Sequence, residues 1–253
     1  MSNKTFGIDI SKHNGLINWD ALKNSKKVDY AIIRAGYGKL LSQKDINFER
    51  NYSEAKRVGI PVGCYWYSYA KTVSEAQTEA RVFLKAIEGK QFEYPVYLDF
   101  EEESQFKLGR STCSAMAKAF LEIIEKAGYF TGIYSSKSGL ENYIDTDTRK
   151  KYSVWVAHVN VNQTTYSMPF DMWQFTWKGK IDGISGDVDC NYCYKDFSTI
   201  IKNAGLNGFT KASGTVKDSN VIINNDKKED KKETIKITLE IDGVNYTGTL
   251  EKS

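Results

Sequence analysis

The chain has 253 residues with 35 basic and 32 acidic side chains, which gives a formal net charge of +3 at pH 7. This near-balance provides no strongly basic surface for nucleic acid, so we expect no nucleic-acid partner. The N-terminal residues lack the apolar core of a signal peptide, and no stretch is apolar enough to insert in a membrane, so we predict cytoplasmic synthesis.

Short apolar runs alternate with amphipathic helical patterns from residue 5 to about residue 205. The clearest helix spans Ser111–Ala127, where Ser111 can cap the start and Gly128 can end it. The other helical patterns are Val73–Ile87, Asn47–Val58 and Tyr194–Ala204. Seven runs predict strands: Phe6–Ile10, Tyr30–Ala35, Val62–Tyr67, Val96–Phe100, Thr131–Tyr134, Val154–Ala157 and Met172–Phe175. This alternation predicts an α/β fold, a single β/α barrel of the TIM type, with a mostly parallel sheet.

One strand ends in a cluster of acids. The run Val96–Phe100 leads into four carboxylates between residues 99 and 103. Because side chains alternate along a strand, Asp99 and Glu101 share a face, with their Cβ atoms roughly 6–7 Å apart. A solvated loop after the strand would also explain these four acidic residues. Two same-face acids at the end of a buried strand, however, suit a pair whose pKa values are pushed apart, one an acid and one a base or electrostatic stabiliser.

Other acids and aromatic residues also lie in or near the ends of predicted strands. They are Asp9, Tyr67, Tyr134, Trp155 and Trp173. In β/α barrels the carboxyl ends of the strands carry the active site. We therefore predict that these side chains and the acid pair meet at one rim.

The four cysteines do not form a disulfide framework for a chain of this length. Cys190 and Cys193 make an isolated C-x-x-C pair, and the two histidines have no metal-ligand spacing. We expect buried free thiols, no metal site and no cofactor.

The composition changes after Gly208. Residues 209–233 are polar and charged, which predicts a solvated linker between a domain at residues 1–208 and an appendage at residues 234–253. The appendage alternates apolar and polar residues around Asp242-Gly243, which predicts a β-hairpin with a type I′ turn. An isolated hairpin is marginally stable, so it should dock on the barrel, self-associate or belong to a wall-binding module. Its exposed apolar edge favours self-association, which we expect.

Eight segments match one known family in the family's order: Gly7–Ser11 with Asn14-Gly15, Ala31–Gly38, Pro61–Tyr67, Pro95–Glu101, Gly132–Ser136, Trp155–Ala157, Trp173–Thr176 and Asp187–Asn191. Together they resemble glycoside hydrolase family 25, the muramidases that include many phage endolysins. The resemblance implies a barrel with an acidic groove for peptidoglycan glycan strands. It also implies cleavage of the β-1,4 bond between N-acetylmuramic acid and N-acetylglucosamine, and hence bacterial cell-wall lysis.

The resemblance implies roles for individual residues. Glu101 is similar to the general acid, and Asp99 to the residue that assists attack by the substrate's 2-acetamido group. Asp9 and Asp189 are similar to the remaining groove acids, although a helix cap or a loop acid would explain them too. An inverting route, in which a carboxylate activates water, stays open. The expected sugar-binding residues, each of which could instead be barrel core, are Tyr65, Tyr67, Tyr134, Trp155 and Trp173.

Two features of the sequence depart from the pattern of family 25, and two other functions were considered. Glu102 and Glu103 extend the acid cluster, so we expect their repulsion to raise its pKa values. Free thiols and the missing signal peptide favour a phage or prophage endolysin, made in the host cytoplasm and acting on the wall after release. A family 18 chitinase fits poorly because Tyr97 occupies an acid position. A non-catalytic glycan-binding barrel would not need Glu101.

Overall fold

A computed structural model describes residues 4–211, 234–241 and 244–251. Its main unit is a closed barrel of eight strands in sequential order. The strands are β1 Thr5–Ile10, β2 Tyr30–Tyr37, β3 Val62–Tyr67, β4 Val96–Asp99, β5 Thr131–Ser136, β6 Ser153–Ala157, β7 Met172–Gly179 and β8 Val188–Cys193. Strands β1 to β7 pair in parallel, whereas β8 is antiparallel to both β7 and β1.

Eight α-helices accompany the strands within residues 4–211. They are α1 Trp19–Asn24, α2 Phe48–Arg57, α3 Val73–Ala86, α4 Glu103–Phe106, α5 Arg110–Lys126, α6 Lys137–Tyr143, α7 Thr146–Lys151 and α8 Phe197–Ala204. Helix α3 starts where Thr72 accepts a hydrogen bond from the Glu75 N–H. Helix α5 starts one residue before the predicted cap Ser111, directly after Gly109, whose φ of 82° is left-handed.

The strands separate two apolar layers because their side chains alternate inward and outward. The inner layer includes Tyr30, Ile32, Tyr97, Trp155 and Met172, all at most 1% exposed. The outer layer lies between the strands and the helices and holds most of the buried aliphatic residues. Phe197 and Ile201 of α8 belong to the inner layer, so this helix closes one end of the barrel.

The prediction of a mostly parallel α/β barrel is confirmed, but the eighth strand was missed. Strand β8 has polar residues, Asp189 and Asn191, on its inner face, so its sequence lacks the apolar run that marked the other strands. Strand β7 also continues to Gly179, beyond the predicted end at Phe175. Both differences lie at the site described below.

All four cysteines are buried and free, as predicted. Within the described residues, no helix is long and apolar enough to cross a membrane. The compact main unit ends at Lys211 rather than at residue 208, and Phe209 packs against the inner layer.

The second unit contains two antiparallel strands, β9 Thr234–Ile241 and β10 Val244–Glu251. Ile241 pairs with Val244, and Thr234 with Glu251, so the predicted strand pair is present. The Asp242-Gly243 turn and the predicted linker, apart from its first residues, lie outside the described residues.

Candidate active site

All four predicted acids line one open cleft at the rim of the barrel. Its empty volume, which includes open solvent, is about 280 Å³. The lining residues are Asp9, Tyr65, Asp99, Glu101, Tyr134, Trp155, Gln174 and Asp189. They come from several strands and from the segment after β4, so the cleft exists only once the barrel has closed.

Asp9 and Asp189 lie directly opposite each other on β1 and β8. Because β8 runs antiparallel to β1, its first residues lie beside the last residues of β1. Two like charges in this position would repel. Hydrogen bonding between the two carboxyl groups eases this repulsion, since it lowers the pKa of Asp9 and raises that of Asp189.

Backbone hydrogen bonds fix Asp99 and Glu101. The Asp99 carbonyl accepts from the Ser68 N–H at 3.0 Å, and the Phe100 N–H donates to the Tyr134 carbonyl at 2.9 Å. The chain therefore stays bound to its neighbours on both sides of β4 after the strand ends. As the alternation of a strand predicts, Asp99 and Glu101 both line the cleft, while Phe100 is buried in the outer layer.

Two amides hold the Asp9 carboxylate. Its Oδ2 accepts from Gln174 Nε2 at 2.9 Å and from Asn191 Nδ2 at 2.8 Å. The Gln174 oxygen in turn accepts from the Tyr134 hydroxyl at 2.8 Å and from Trp177 Nε1 at 2.9 Å. Asp9 is 6% exposed, so these N–H groups replace the water that it loses on burial.

All four acids have raised pKa values. Burial is the main cause, and it raises the pKa of Glu101 to about 7 and that of Asp189 to about 8. The charge of Asp9 adds to both pKa shifts. Burial also raises the pKa of Asp9, while the amide N–H groups oppose that rise. Near pH 6 the cluster therefore retains protons, including one on Glu101 for donation to a substrate.

Among the four acids, Asp99 receives the least stabilisation of its carboxylate from neighbouring groups. It is 4% exposed, and its Oδ1 finds no hydrogen-bond donor among the described residues. Burial raises its pKa well above the ordinary value, and the charges of Glu101 and Asp9 add to this. Arg34 lowers the pKa of Asp99, but its guanidinium is bound to Asp45 at 2.7 Å. Asp99 therefore lacks a polar partner that a ligand could supply.

The expected effect of Glu102 and Glu103 is largely wrong. Glu102 is partly exposed and accepts hydrogen bonds from Ser104 and from the Tyr67 hydroxyl, the Ser104 bond lowering its pKa. It makes only a lesser contribution to the raised pKa of Glu101. Glu103 is exposed in the first turn of α4. The raised pKa values come from burial, because the two extra acids face water.

The predicted aromatic residues lie in three places. Tyr65, Tyr134 and Trp155 line the cleft, with the Tyr134 and Trp155 rings 4.5 Å apart. Trp155 is 1% exposed and forms the floor of the cleft. Tyr67 lies beside the cleft, bound to Glu102. The structure does not bring Trp173 to the cleft, since its ring belongs to the outer layer, near Phe175 and Tyr192.

The site also contains residues that the sequence analysis did not select, in the cleft wall or bound to it: Gln174, Asn191, Arg34 and Trp177. Trp177 is 52% exposed and donates to Gln174. Alternation along β7 provides a signal for Gln174, because an inward Met172 requires an inward Gln174 and an outward Trp173. No local pattern marks Asn191, which lies in the missed strand. Among the described residues, the structure gathers no three His, Cys, Asp or Glu side chains in a metal-binding arrangement.

The family follows from comparison with known proteins. The sequence profile of glycosyl hydrolases family 25 matches residues 8–184, more than half of the chain. The chain belongs to this family. The matched segment includes Asp9, Asp99 and Glu101 and ends before Asp189.

Relatives and solved structures agree with family 25. The autolytic lysozyme of Clostridium acetobutylicum is 24% identical over 94% of this chain and 68% of its own length. Lysozyme M1 of Streptomyces globisporus is 26% identical over 73% of this chain and 66% of its own length. The CTP1L endolysin structure has a TM-score of 0.67 at 27% identity, covering 79% of this chain and 70% of its own. A Streptomyces coelicolor lysozyme structure has a TM-score of 0.66 at 26% identity, covering 79% and 96%.

These comparisons confirm the predicted family and the prediction of a glycoside hydrolase. The family 25 chain is a peptidoglycan muramidase of the lysozyme type that acts on the bacterial cell wall.

Proposed function

We propose that Glu101 is the general acid of this muramidase and that Asp99 assists attack by the substrate's own 2-acetamido group. The observation that carries the proposal is the pairing of a buried acid, Asp99, with a half-buried acid, Glu101, in one cleft. Glu101 retains a proton near neutral pH, and Asp99 Oδ1 has no donor among the residues the structure describes. The proton on Glu101 can go to the leaving glycosidic oxygen, and the unsatisfied oxygen of Asp99 can accept a hydrogen bond from the acetamido N–H of the substrate.

The reaction has two steps. In the first, the acetamido oxygen attacks the anomeric carbon from the opposite face and forms an oxazolinium ion, while the bond from that carbon to the glycosidic oxygen breaks and Glu101 gives its proton to the leaving oxygen. Asp99 accepts a hydrogen bond from the acetamido N–H and stabilises the positive charge. In the second, the Glu101 carboxylate takes a proton from water, which attacks the anomeric carbon and opens the oxazolinium ring. The acetamido N–H and Arg34 would both favour the ionised form of Asp99.

The remaining cleft residues have supporting roles. Asp9 keeps negative charge beside the acid, which adds to the effect of burial in raising the pKa of Glu101, and Asp189, whose own pKa is raised to about 8, holds a proton beside it. Tyr65, Tyr134 and Trp155 form the walls and floor against which a sugar ring packs. Tyr67 would contact sugars beyond the cleft, whereas the outward position of Trp173 gives it no direct contact.

The stereochemical outcome tests the acetamido route. Proton NMR of a soluble β-1,4-linked glycan digest should show the β-anomer of the new reducing end first, because two displacements retain configuration. Initial α-anomer would instead indicate a single displacement by water and would reject acetamido assistance by Asp99. Glu101 would remain the acid in either case, so the experiment separates the two assignments.

The C-terminal hairpin is proposed to self-associate. Strands β9 and β10 form a two-stranded sheet, and isolated sheets of this size are marginal in water. We expect sedimentation velocity to show an oligomer of the full chain and a monomer of a chain ending at Lys211, which preserves the packing of Phe209. A monomeric full chain would reject self-association and favour wall binding by the hairpin.

A phage or prophage origin is proposed from two observations. The four buried free thiols suit a protein that folds in a reducing compartment. Solved endolysin structures resemble the chain, including the catalytic domain of ply40 from Listeria bacteriophage P40, with a TM-score of 0.65 at 26% identity over 79% of this chain and 98% of its own.

A further inference from the structure

Asp9 is a buried acid that forms no ion pair with any of the residues the structure describes. The titratable groups around it come from several strands and the segment after β4: Tyr30, Tyr65, Asp99, Glu101, Tyr134, Asp189 and Cys190. The cation Arg34 acts on Tyr65 and Asp99 rather than on Asp9, and Asp45 binds it at 2.7 Å. The favourable partners of the Asp9 carboxylate are therefore the neutral amides of Gln174 and Asn191 and the proton shared with Asp189.

Both amides are held in one orientation. Trp155 Nε1 donates to Asn191 Oδ1 at 2.8 Å, and Trp177 Nε1 donates to Gln174 Oε1 at 2.9 Å. An indole nitrogen can only donate, so each amide must turn its oxygen to the tryptophan and its NH₂ group to Asp9. Asn191 is 0% and Gln174 is 1% exposed, which leaves little freedom to rotate.

We propose that Gln174 and Asn191 are positioning residues that hold Asp9 as an ionised carboxylate beside Asp189 and Glu101, so that these two neighbours keep their protons. The inference rests on the proposed role of Glu101 as the acid. A fixed negative charge at Asp9 disfavours ionisation of its neighbour Glu101, which explains why Glu101 keeps a proton that it can donate. Neither amide reacts with the substrate.

The test is a ¹³C NMR titration of the side-chain carboxyl groups in the full chain and in Gln174→Met. Removing one N–H donor from a carboxylate should raise the pKa of Asp9 by about one unit. The pKa of Glu101 should fall, since a protonated Asp9 no longer repels its charge. In the pH profile of kcat/KM the acidic limb should move to higher pH with Asp9, and the basic limb should move to lower pH with Glu101. The pH range of activity should therefore become narrower.

Gln105→Met is the matched control. Gln105 is 0% exposed and donates to Ser68 Oγ at 3.0 Å and to the Ala70 carbonyl at 2.9 Å, but it does not line the cleft. This variant should lower the unfolding temperature without moving the carboxyl titrations. If Gln174→Met gives the same pattern, the amide is only structural and the proposal is wrong.

A second variant guards against misfolding of Gln174→Met. Trp177→Phe removes one of the two donors to Gln174 from an exposed position, and it should raise the pKa of Asp9 by a smaller amount. Unchanged titration in both variants would overturn the proposal. The titration needs no turnover, so it separates the two proposals. If the wild type cleaves no glycan while Gln174→Met still raises the pKa of Asp9, the proposed role of Glu101 fails and the positioning role stands. An active chain with an unmoved Asp9 would reject the positioning role alone.

Discussion

Glu101→Gln is expected to reduce the rate of glycan cleavage by about 10²–10⁴-fold, the usual contribution of a positioned acid. Glutamine has the same shape but cannot give a proton to the leaving oxygen, so glycan binding should persist. Loss of turbidity of a cell-wall suspension measures cleavage, and co-sedimentation with walls measures binding. A glycan-binding protein without catalysis would show no difference in either measurement.

Glu103→Gln provides the control for this change. Glu103 lies two residues further along, is exposed and does not line the cleft. It should keep full activity. Equal losses in both variants would mean that the acid cluster acts through its total charge, which would contradict a specific role for Glu101.

Asp99→Asn is expected to lower activity by about 10²-fold or more, comparable to loss of one electrostatic stabiliser of a transition state. It should also make the protein more stable at pH 8. Asp99 is buried, its pKa is raised mainly by burial, and no described residue donates a hydrogen bond to its Oδ1, so its ionised form is unfavourable in the folded state. Asparagine removes that charge and keeps the volume.

The sign of the pH effect follows from linkage. A carboxyl whose folded pKa is raised contributes stability below its unfolded pKa, and this contribution is lost as the pH rises through the folded pKa. The unfolding temperature of the wild type should therefore fall between pH 4 and pH 8 by several degrees, at about 2–4 °C per kcal/mol for this size. The fall should be smaller in Asp99→Asn.

Asp45→Asn is the contrasting control for stability. Asp45 is also buried, at 4% exposed, but it is paired with Arg34 and accepts from the Lys12 and Asn47 N–H groups. Removing its charge leaves Arg34 without its partner and should lower stability by about 3–5 kcal/mol. If Asp99→Asn were equally destabilising, Asp99 would be a structural anchor rather than a strained functional acid.

The sequence predicted those parts of the barrel whose strands have two apolar faces. Strands such as β4 lie between an inner and an outer apolar layer, so β4 is a continuous apolar run up to Leu98, directly before the cleft residue Asp99. Strand β8 lines the polar cleft and breaks that pattern, which is why it was missed. The strand that carries functional polar residues therefore has the weakest apolar pattern. The cause is that an active site needs polar side chains at positions where a core needs apolar ones.

Individual site residues were predictable only where a motif or the alternation along a strand determines which side chains point into the cleft. Asp99 and Glu101 share a face by strand periodicity, and both line the cleft. The same periodicity turns Trp173 outward, since Gln174 faces Asp9. The hydrogen bonds from Gln174 and Asn191 to one carboxylate join strands β7, β8 and β1, and only closure of the barrel determines such contacts.

The most direct test of the muramidase assignment is digestion of purified Gram-positive cell walls followed by borohydride reduction and mass spectrometry. Cleavage after N-acetylmuramic acid should yield fragments that end in reduced muramitol, and these should disappear with Glu101→Gln. Fragments ending in reduced glucosaminitol would place the cut at the other glycosidic bond and contradict the assignment.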